Sequence, residues 1–259
     1  MSKKRPIFGV SRVIVFCSCI IISVAIIAGA IETSSKKGRV AYVDGRVKKR
    51  AELSETWINA YKDTEVIGGD KVRTYKDSRA ELELTALDLI RMAPKTTLDI
   101  VRLFEEQKAK KREIALNVEE GDIWANVEGE TGDLEFDIKT PRAAAAITGT
   151  ICRIGVSPDS TTELKVYKGQ VHITNAPEKT DLIPKSIEPY EVEGPYEVEG
   201  PHEVTLEEWI YIVKSMQKVT IDKKGRISYA GSFSDKDNDE NTAWVKWNKS
   251  RDVLSSGKR

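Results

Sequence analysis

Residues 79–84 read Arg-Ala-Glu-Leu-Glu-Leu, so apolar and charged side chains alternate along this stretch. Such a period of two is typical of a β-strand with one buried and one solvated face, because successive side chains point to opposite sides. The alternation recurs at residues 134–139 and in further short runs between residues 39 and 173, with turn residues between them. The pattern predicts an all-β domain over residues 38–175, either a sandwich or an irregular solenoid-like fold.

Glycines mark the turns of this predicted domain. The motifs Glu120-Gly121-Asp122-Ile123 and Lys168-Gly169-Gln170-Val171 each place a glycine just after an apolar run. Glycine adopts positive φ without a steric cost, so we expect both glycines to lie at tight turns or close backbone approaches. The same is expected of Gly69 and Gly149.

The N-terminal residues have a different composition. The stretch from Val13 to Ile31 contains neither charge nor proline, and four basic residues precede it. Its nineteen residues would make a helix of about 28 Å, close to the roughly 30 Å hydrocarbon core of a bilayer. We predict a cytoplasmic stub at residues 1–12 and a transmembrane signal anchor at residues 13–31, with a signal peptide cleaved after Ala30 as the alternative. Either way, the rest of the chain is expected to be exported.

The charge balance excludes one class of function. The chain has 41 Lys plus Arg, 41 Asp plus Glu and 32% charged residues, which does not fit a globally cationic nucleic-acid binder. Removing the four basic residues of the N-terminal stub leaves 37 basic against 41 acidic side chains in the exported part. Both charge and location therefore argue against a nucleic-acid partner.

Residues 176–204 have the composition of a linker. Pro189-Tyr190-Glu191-Val192-Glu193-Gly194 is copied as residues 195–200, and a partial third copy follows. Proline and glycine at fixed positions prevent a continuous central strand or helix, so we predict an extended acidic linker. A repeated docking motif presenting Tyr190 and Tyr196 is the functional alternative.

Residues 205–230 are predicted to form an amphipathic helix followed by a β-hairpin. Thr205 and Glu208 form a capping box, and an apolar stripe follows: Leu206, Trp209, Ile210, Val213 and Met216. We expect this stripe to dock on the β domain; if Trp209 is exposed, it would instead contact a partner. The hairpin is expected to turn at Lys223-Lys224-Gly225. Residues 231–259 are polar and predicted to be disordered, although Trp244 and Trp247 are unusual in such a tail.

We find no motif for catalysis, a metal or a cofactor, and predict that the chain is not an enzyme. His172 and His202 are its two histidines, both predicted to lie at the surface, and no phosphate-binding loop or dinucleotide motif occurs. Asp235, Asp237 and Asp239 take the first, third and fifth positions of a calcium loop. Its sixth and twelfth positions lack the required Gly and Glu, so a solvated acidic tail is the better interpretation.

Together these marks resemble the FecR domain family of bacterial envelope proteins. The likeness spans roughly residues 65–175 and rests on Gly69-Asp70-Lys71-Val72-Arg73-Thr74, Val166-Tyr167-Lys168-Gly169-Gln170-Val171, and residues 78–84, 90–98, 120–124, 140–143 and 147–150. One departure is Cys152, because the family usually has an aromatic residue after Gly-Thr. We expect its thiol to pack inward as a small hydrophobe.

The resemblance implies an all-β module on the periplasmic side of the bacterial inner membrane. Founding members relay a signal from an outer-membrane receptor to a cytoplasmic sigma factor through an anti-sigma domain before the span, where this chain offers only residues 1–12. Our leading hypothesis is a membrane-anchored, noncatalytic FecR-like binding or sensor module for an envelope protein or polymer. One alternative is a truncated signal-transduction regulator acting with a separate membrane or sigma-factor partner. Another is an envelope glycan-binding module using Trp57, Trp124 and Tyr167.

Overall fold

A computed structural model describes residues 37–85, 88–106, 111–128, 134–179, 182–187 and 208–256. Sixteen strands of this described part are joined in one sheet. In chain order they are β1 (Gly38–Asp44), β2 (Val47–Arg50), β3 (Ile58–Asn59), β4 (Glu65–Val66), β5 (Lys71–Thr74), β6 (Arg79–Glu83), β7 (Asp88–Met92), β8 (Thr97–Glu106), β9 (Lys111–Val127), β10 (Leu134–Lys139), β11 (Ala144–Val156), β12 (Thr162–Thr174), β13 (Lys185–Ser186), β14 (Ile210–Lys214), β15 (Gln217–Ile221) and β16 (Ile227–Ser232). A 3₁₀ helix (Asn238–Asn241) and helix α1 (Ala243–Ser256) follow.

The long strand β9 changes partners halfway along its length. Residues 111–120 pair with β8 and, in parallel, with β10, whereas residues 121–127 pair with β7 and β11. The change occurs at Gly121, whose φ is 97° and whose missing Cβ would lie 2.5 Å from the Cα of Thr96. A strand that bends where it changes partners folds the sheet over its own core.

Strands β11 and β12 bend in the same way. Gly149 and Gly169 have φ values of 59° and 85°, and the backbone carbonyl of Gly149 lies where a Cβ on Gly169 would project. Strand β12 pairs with β15 before this bend and with β14 after it. The predicted need for glycine at these two positions and at Gly121 is confirmed, as is that at Gly69, where φ is 90°.

The core is mainly aliphatic and lies on one side of these bent strands. The predicted alternation is present: Ala80 and Leu82 on β6 and Phe136 and Ile138 on β10 are buried. Cys152 is also buried, and burial raises the pKa of its thiol to about 12, so the inward packing predicted for it is confirmed. The all-β prediction therefore holds across the described strands.

The predicted amphipathic helix over residues 205–216 is wrong in its described part, because Ile210–Lys214 form strand β14. This strand pairs with residues 170–174 of β12 and with β13. Its β-branched and aromatic residues suit a strand, and pairing satisfies the backbone groups that the end of β12 would otherwise leave open. The hairpin turning at residues 223–225 is present as β15 and β16, so the sheet continues beyond the predicted boundary at residue 175.

The prediction of disorder from residue 231 onward is also wrong. The chain is ordered through β16, the 3₁₀ helix and α1, which ends at Ser256. A helix near the C-terminus therefore exists, but it begins at Ala243, about forty residues later than expected. Within the described ranges no helix is long and apolar enough to cross a membrane. The predicted span from Val13 to Ile31 and the repeat carrying Tyr190 and Tyr196 lie outside the described residues.

Candidate functional site

The side of the central strands that faces away from the core carries charged and aromatic residues. Cross-strand pairing places Tyr42 opposite Glu81, Glu81 opposite Arg91, and Arg91 opposite Trp124. The row continues from Trp124 to Arg153 on β11 and from Arg153 to Lys165 on β12. We call this row, with its neighbours Arg79, Asp122, Asn126 and Tyr167, the covered face.

The chain from Phe233 to Ser256, here the C-terminal segment, lies on the covered face. Helix α1 turns one side towards the sheet, and its residues occur at positions i, i+3, i+4, i+7 and i+8: Trp244, Trp247, Asn248, Arg251 and Asp252. This spacing is that of a single helix face. The face is unusual in carrying aromatic and polar side chains in place of an aliphatic stripe.

Asp252 is the most connected residue at the end of the helix. Its carboxylate accepts hydrogen bonds from Arg91 Nη1 at 2.7 Å, Trp124 Nε1 at 2.9 Å and Asn126 Nδ2 at 2.8 Å. The three donors come from β7 and β9, so one side chain fastens α1 to two adjacent strands. Bonds of this kind to a charged group are stronger than neutral ones.

Glu81 forms the second ionic contact of α1. Its two carboxylate oxygens accept from Arg251 Nη2 at 2.8 Å and Nε at 2.9 Å, and Arg91 Nε adds a bond of 2.6 Å. Burial by itself would raise the pKa of Glu81, but the bonds and charges of Arg251 and Arg91 outweigh burial and lower this pKa below its usual value. Glu81 is therefore ionised between two guanidinium groups at neutral pH.

The two tryptophans of α1 stack on each other over the sheet. Their ring centroids are 5.5 Å apart, and Trp247 also lies 5.7 Å from the ring of Tyr42. The guanidinium carbon of Arg79 is 5.0 Å from the Trp247 ring, a cation–π distance. Trp244 Nε1 donates to Asp122 Oδ1 at 3.1 Å, and burial raises the pKa of Asp122 despite this bond and those from Arg153.

The 3₁₀ helix supplies a second ionic cluster centred on Glu240. This buried carboxylate accepts from Lys165 Nζ at 3.1 Å and from the Tyr167 hydroxyl at 3.0 Å, and it pairs with Lys249 at 3.1 Å. Lys165, whose side chain is 0% exposed, is also bonded to Asp239. Burial would lower the pKa of Lys165, but these two carboxylates raise it, and burial together with Glu240 raises the pKa of Tyr167.

The site is suited to binding and holds no metal-ligand cluster. Among the residues that the structure describes, no group of three His, Cys, Asp or Glu could hold a metal ion. Asp235 and Asp239 of the calcium-like string are engaged by Lys249 and Lys165 respectively. What the covered face offers is an array of cations and aromatic rings that recognises carboxylates and tryptophans.

Three residues predicted as contacts, Trp209, Trp124 and Tyr167, take other roles. Trp209 is 4% exposed and its Nε1 donates to the Gly225 carbonyl at 3.1 Å, so it belongs to the core and fails the condition set for a partner contact. Trp124 is buried and stacks at 4.4 Å on Tyr167, and the C-terminal segment covers both. Trp57 is half-buried, with the guanidinium carbon of Arg73 4.7 Å from its ring.

The covered face has no clear signature in the sequence. Its charged residues alternate with core residues, and such residues ordinarily face solvent. The one available signal was the pair Trp244 and Trp247 in an otherwise polar tail.

Comparison with known proteins identifies part of the chain. Residues 70–172 match the family model described as FecR protein. Two crystal structures named "putative anti-sigma factor" from Parabacteroides distasonis ATCC 8503 are similar at 12% and 13% identity, each with a TM-score of 0.42. Each similarity covers 64% of this chain and 61% of the other, so the chain spans less than two thirds of their length. No curated protein sequence matches the chain.

Proposed function

We propose that this chain is a noncatalytic signal-transduction module that binds another protein outside the bacterial cytoplasm, because residues 70–172 match the FecR family model. The family match is the observation that carries the proposal. It runs from β5 into β12 and therefore contains Glu81, Arg91, Trp124, Arg153 and Lys165 of the covered face. The part of the chain that matches the family model is thus the scaffold that presents this face.

Anchoring in the inner membrane is the second part of the proposal. It rests on the uncharged stretch from Val13 to Ile31 and on the basic residues that precede it. In this arrangement the FecR domain lies in the periplasm, where a soluble domain can contact a receptor or another envelope protein. The glycan-binding alternative has little support, because Trp124 and Tyr167 lie beneath the C-terminal segment.

Topology is tested with an alkaline phosphatase fusion after Arg259, since this enzyme is active only when it is exported. We expect an active fusion in the carbonate-washed membrane fraction, and an inactive one when residues 13–31 are deleted. Intact mass of the mature protein separates an anchor from cleavage after Ala30. An active intact-chain fusion recovered as a shortened soluble protein would contradict anchoring, and an inactive one would contradict export.

Signalling is tested by deleting the gene and comparing transcripts under iron limitation and envelope stress. We expect a defined set of transcripts to change and to be restored by the wild-type chain. The control is complementation with the chain lacking residues 13–31, which is expected to fail because the domain stays in the cytoplasm. An unchanged transcript profile under both conditions would contradict a signalling role.

A further inference from the structure

The C-terminal segment contributes nothing to the continuous hydrophobic core. The described core residues run from Val40 to Ile221, with Ile227 and Ala230 packed against them, and none lies beyond Ala230. The buried residues Phe233 and Val245 therefore lie outside that core. The sheet thus has a continuous hydrophobic interior without the segment, which makes separate release of the segment physically reasonable.

The contacts between the C-terminal segment and the covered face add little net stability, but they select which segment fits. Buried ion pairs give little net stability because the loss of hydration offsets their attraction. Asn248 is buried, and its Oδ1 has no hydrogen-bond partner among the described residues, which is a further cost. On the opposite side of α1, Val253 and Leu254 are 73% and 64% exposed. The inner side of the helix thus carries mainly aromatic and polar groups, with Val245 as its buried aliphatic residue, whereas a helix that stabilises a core presents an apolar stripe.

We propose that the covered face is a docking site for a helical segment of a partner protein, and that the chain's own C-terminal segment occupies this site until the partner displaces it. The inference rests on the proposed function, since the partner is the one through which the module signals. It adds where that partner binds and what competes with it.

The covered face specifies the chemistry of the partner. Cations outnumber carboxylates on the sheet side, with Arg79, Arg91, Arg153 and Lys165 against Asp44, Glu81 and Asp122. An occupant must supply carboxylates to Arg91 and Lys165 and aromatic rings to the surface beside Arg79. The partner segment is therefore a carboxylate-bearing helix with two tryptophans one turn apart, as in Trp244 and Trp247, and an acidic residue at the place of Asp252.

The probe for this site is a fluorescent peptide with the sequence of residues 233–256, titrated into the purified 259-residue chain and followed by anisotropy. Binding to the wild-type chain should be weak, because the tethered copy competes at high effective concentration. Asp252→Ala in the chain weakens that copy but leaves the sheet side intact. The variant chain should therefore bind the wild-type peptide at least about tenfold more tightly than the wild-type chain does.

Variants of the peptide distinguish specific docking from nonspecific binding, and they leave the fold of the chain unchanged. Against the Asp252→Ala chain, a D252A peptide should lose at least about tenfold in affinity. A K246A peptide should bind like the wild-type peptide, because Lys246 is exposed on the outer side of α1. Equal affinities of the D252A and K246A peptides would overturn the proposal.

Two further outcomes would also overturn it. One is the absence of peptide binding to the Asp252→Ala chain, with a Trp247→Ala chain as the second variant if the first does not fold by far-ultraviolet circular dichroism. The other is a concentration-dependent dimer formed in place of the peptide complex, which would assign the face to the segment of a second copy. Neither affects the fusion and transcript tests, so the docking site can fail while the proposed function stands.

Discussion

The two sides of the same central strands are built from different chemistry. Ile90, Ile123 and Leu164 face the core, and their immediate neighbours in sequence, Arg91, Trp124 and Lys165, face the C-terminal segment. All six residues are almost fully buried, so burial alone does not distinguish the two sides. The aliphatic side gains stability from water exclusion in proportion to area, whereas the ionic side mainly determines which segment fits. On the docking proposal, the buried polar surface of a stable sheet serves recognition.

The largest loss of stability is expected for a substitution in the hydrophobic core. Leu82→Ala should lower the free energy of unfolding by about 2–5 kcal/mol, because it removes buried methyl groups and leaves a cavity. Chemical denaturation of the chain measures this, with the exposed Leu53→Ala as the matched control, expected to stay within about 0.5 kcal/mol. Similar losses for the two variants would contradict the assignment of Leu82 to the core.

A smaller loss of stability is expected for a substitution in the C-terminal segment. Asp252→Ala removes three hydrogen bonds to a charged group and should cost at most about 1.5–3 kcal/mol. The loss cannot exceed the free energy with which the segment docks, so adding Trp247→Ala to the variant should cost little more. Full additivity of the two substitutions in denaturation curves would show that the segment does not release as a unit.

The bend of β9 offers a test of the scaffold beneath both sides. Gly121→Ala should cost more than about 1 kcal/mol, because φ is positive and the new Cβ would meet the Cα of Thr96. Gly155 on the neighbouring strand is the matched control, since its nearest outside atom would be 3.7 Å from a Cβ. Thermal melting of the two variants should therefore differ; equal midpoints would refute the role of Gly121 as the bend.

Acid should weaken the docking of the C-terminal segment on the covered face. We expect this effect on stability to be smaller than that of the substitutions above. The lowered pKa of Glu81 stabilises the folded chain above the usual carboxyl pKa of about 4.3, and this contribution is lost as pH falls through the lowered value. The raised pKa of Asp122 acts in the opposite sense, because its protonation in acid favours the folded state. Tryptophan fluorescence between pH 6 and 3 should report release of α1. A Glu81→Gln chain with an unchanged pH profile would contradict this origin.

The sequence predicted the core side well, for a physical reason. Alternation as in Arg79–Glu83 depends on nearest neighbours in the chain, and so does the need for glycine at positions such as Gly121 and Gly169. Both are local properties that a sequence reveals directly. The family resemblance over residues 65–175 is confirmed by the match over residues 70–172.

The contacts between the covered face and the C-terminal segment could not be predicted in the same way. The contact between Asp252 and Arg91 joins residues 161 positions apart and has no periodic signature in either strand or helix. Strand β14 was mistaken for a helix because its apolar residues also fit a helical stripe, and only the open end of β12 decides between the two. The covered face thus depends on pairing across the whole chain.

Native-state hydrogen exchange of the full chain tests the central claim most directly. The amides of α1 should exchange through an opening that needs less free energy than that of β9 and β11, and that depends little on low denaturant concentration, because little surface is exposed. The two strands should exchange only on global unfolding. If the amides of α1 instead share the opening free energy and denaturant dependence of β9 and β11, the C-terminal segment is an inseparable part of the fold, and the covered face is not a docking site.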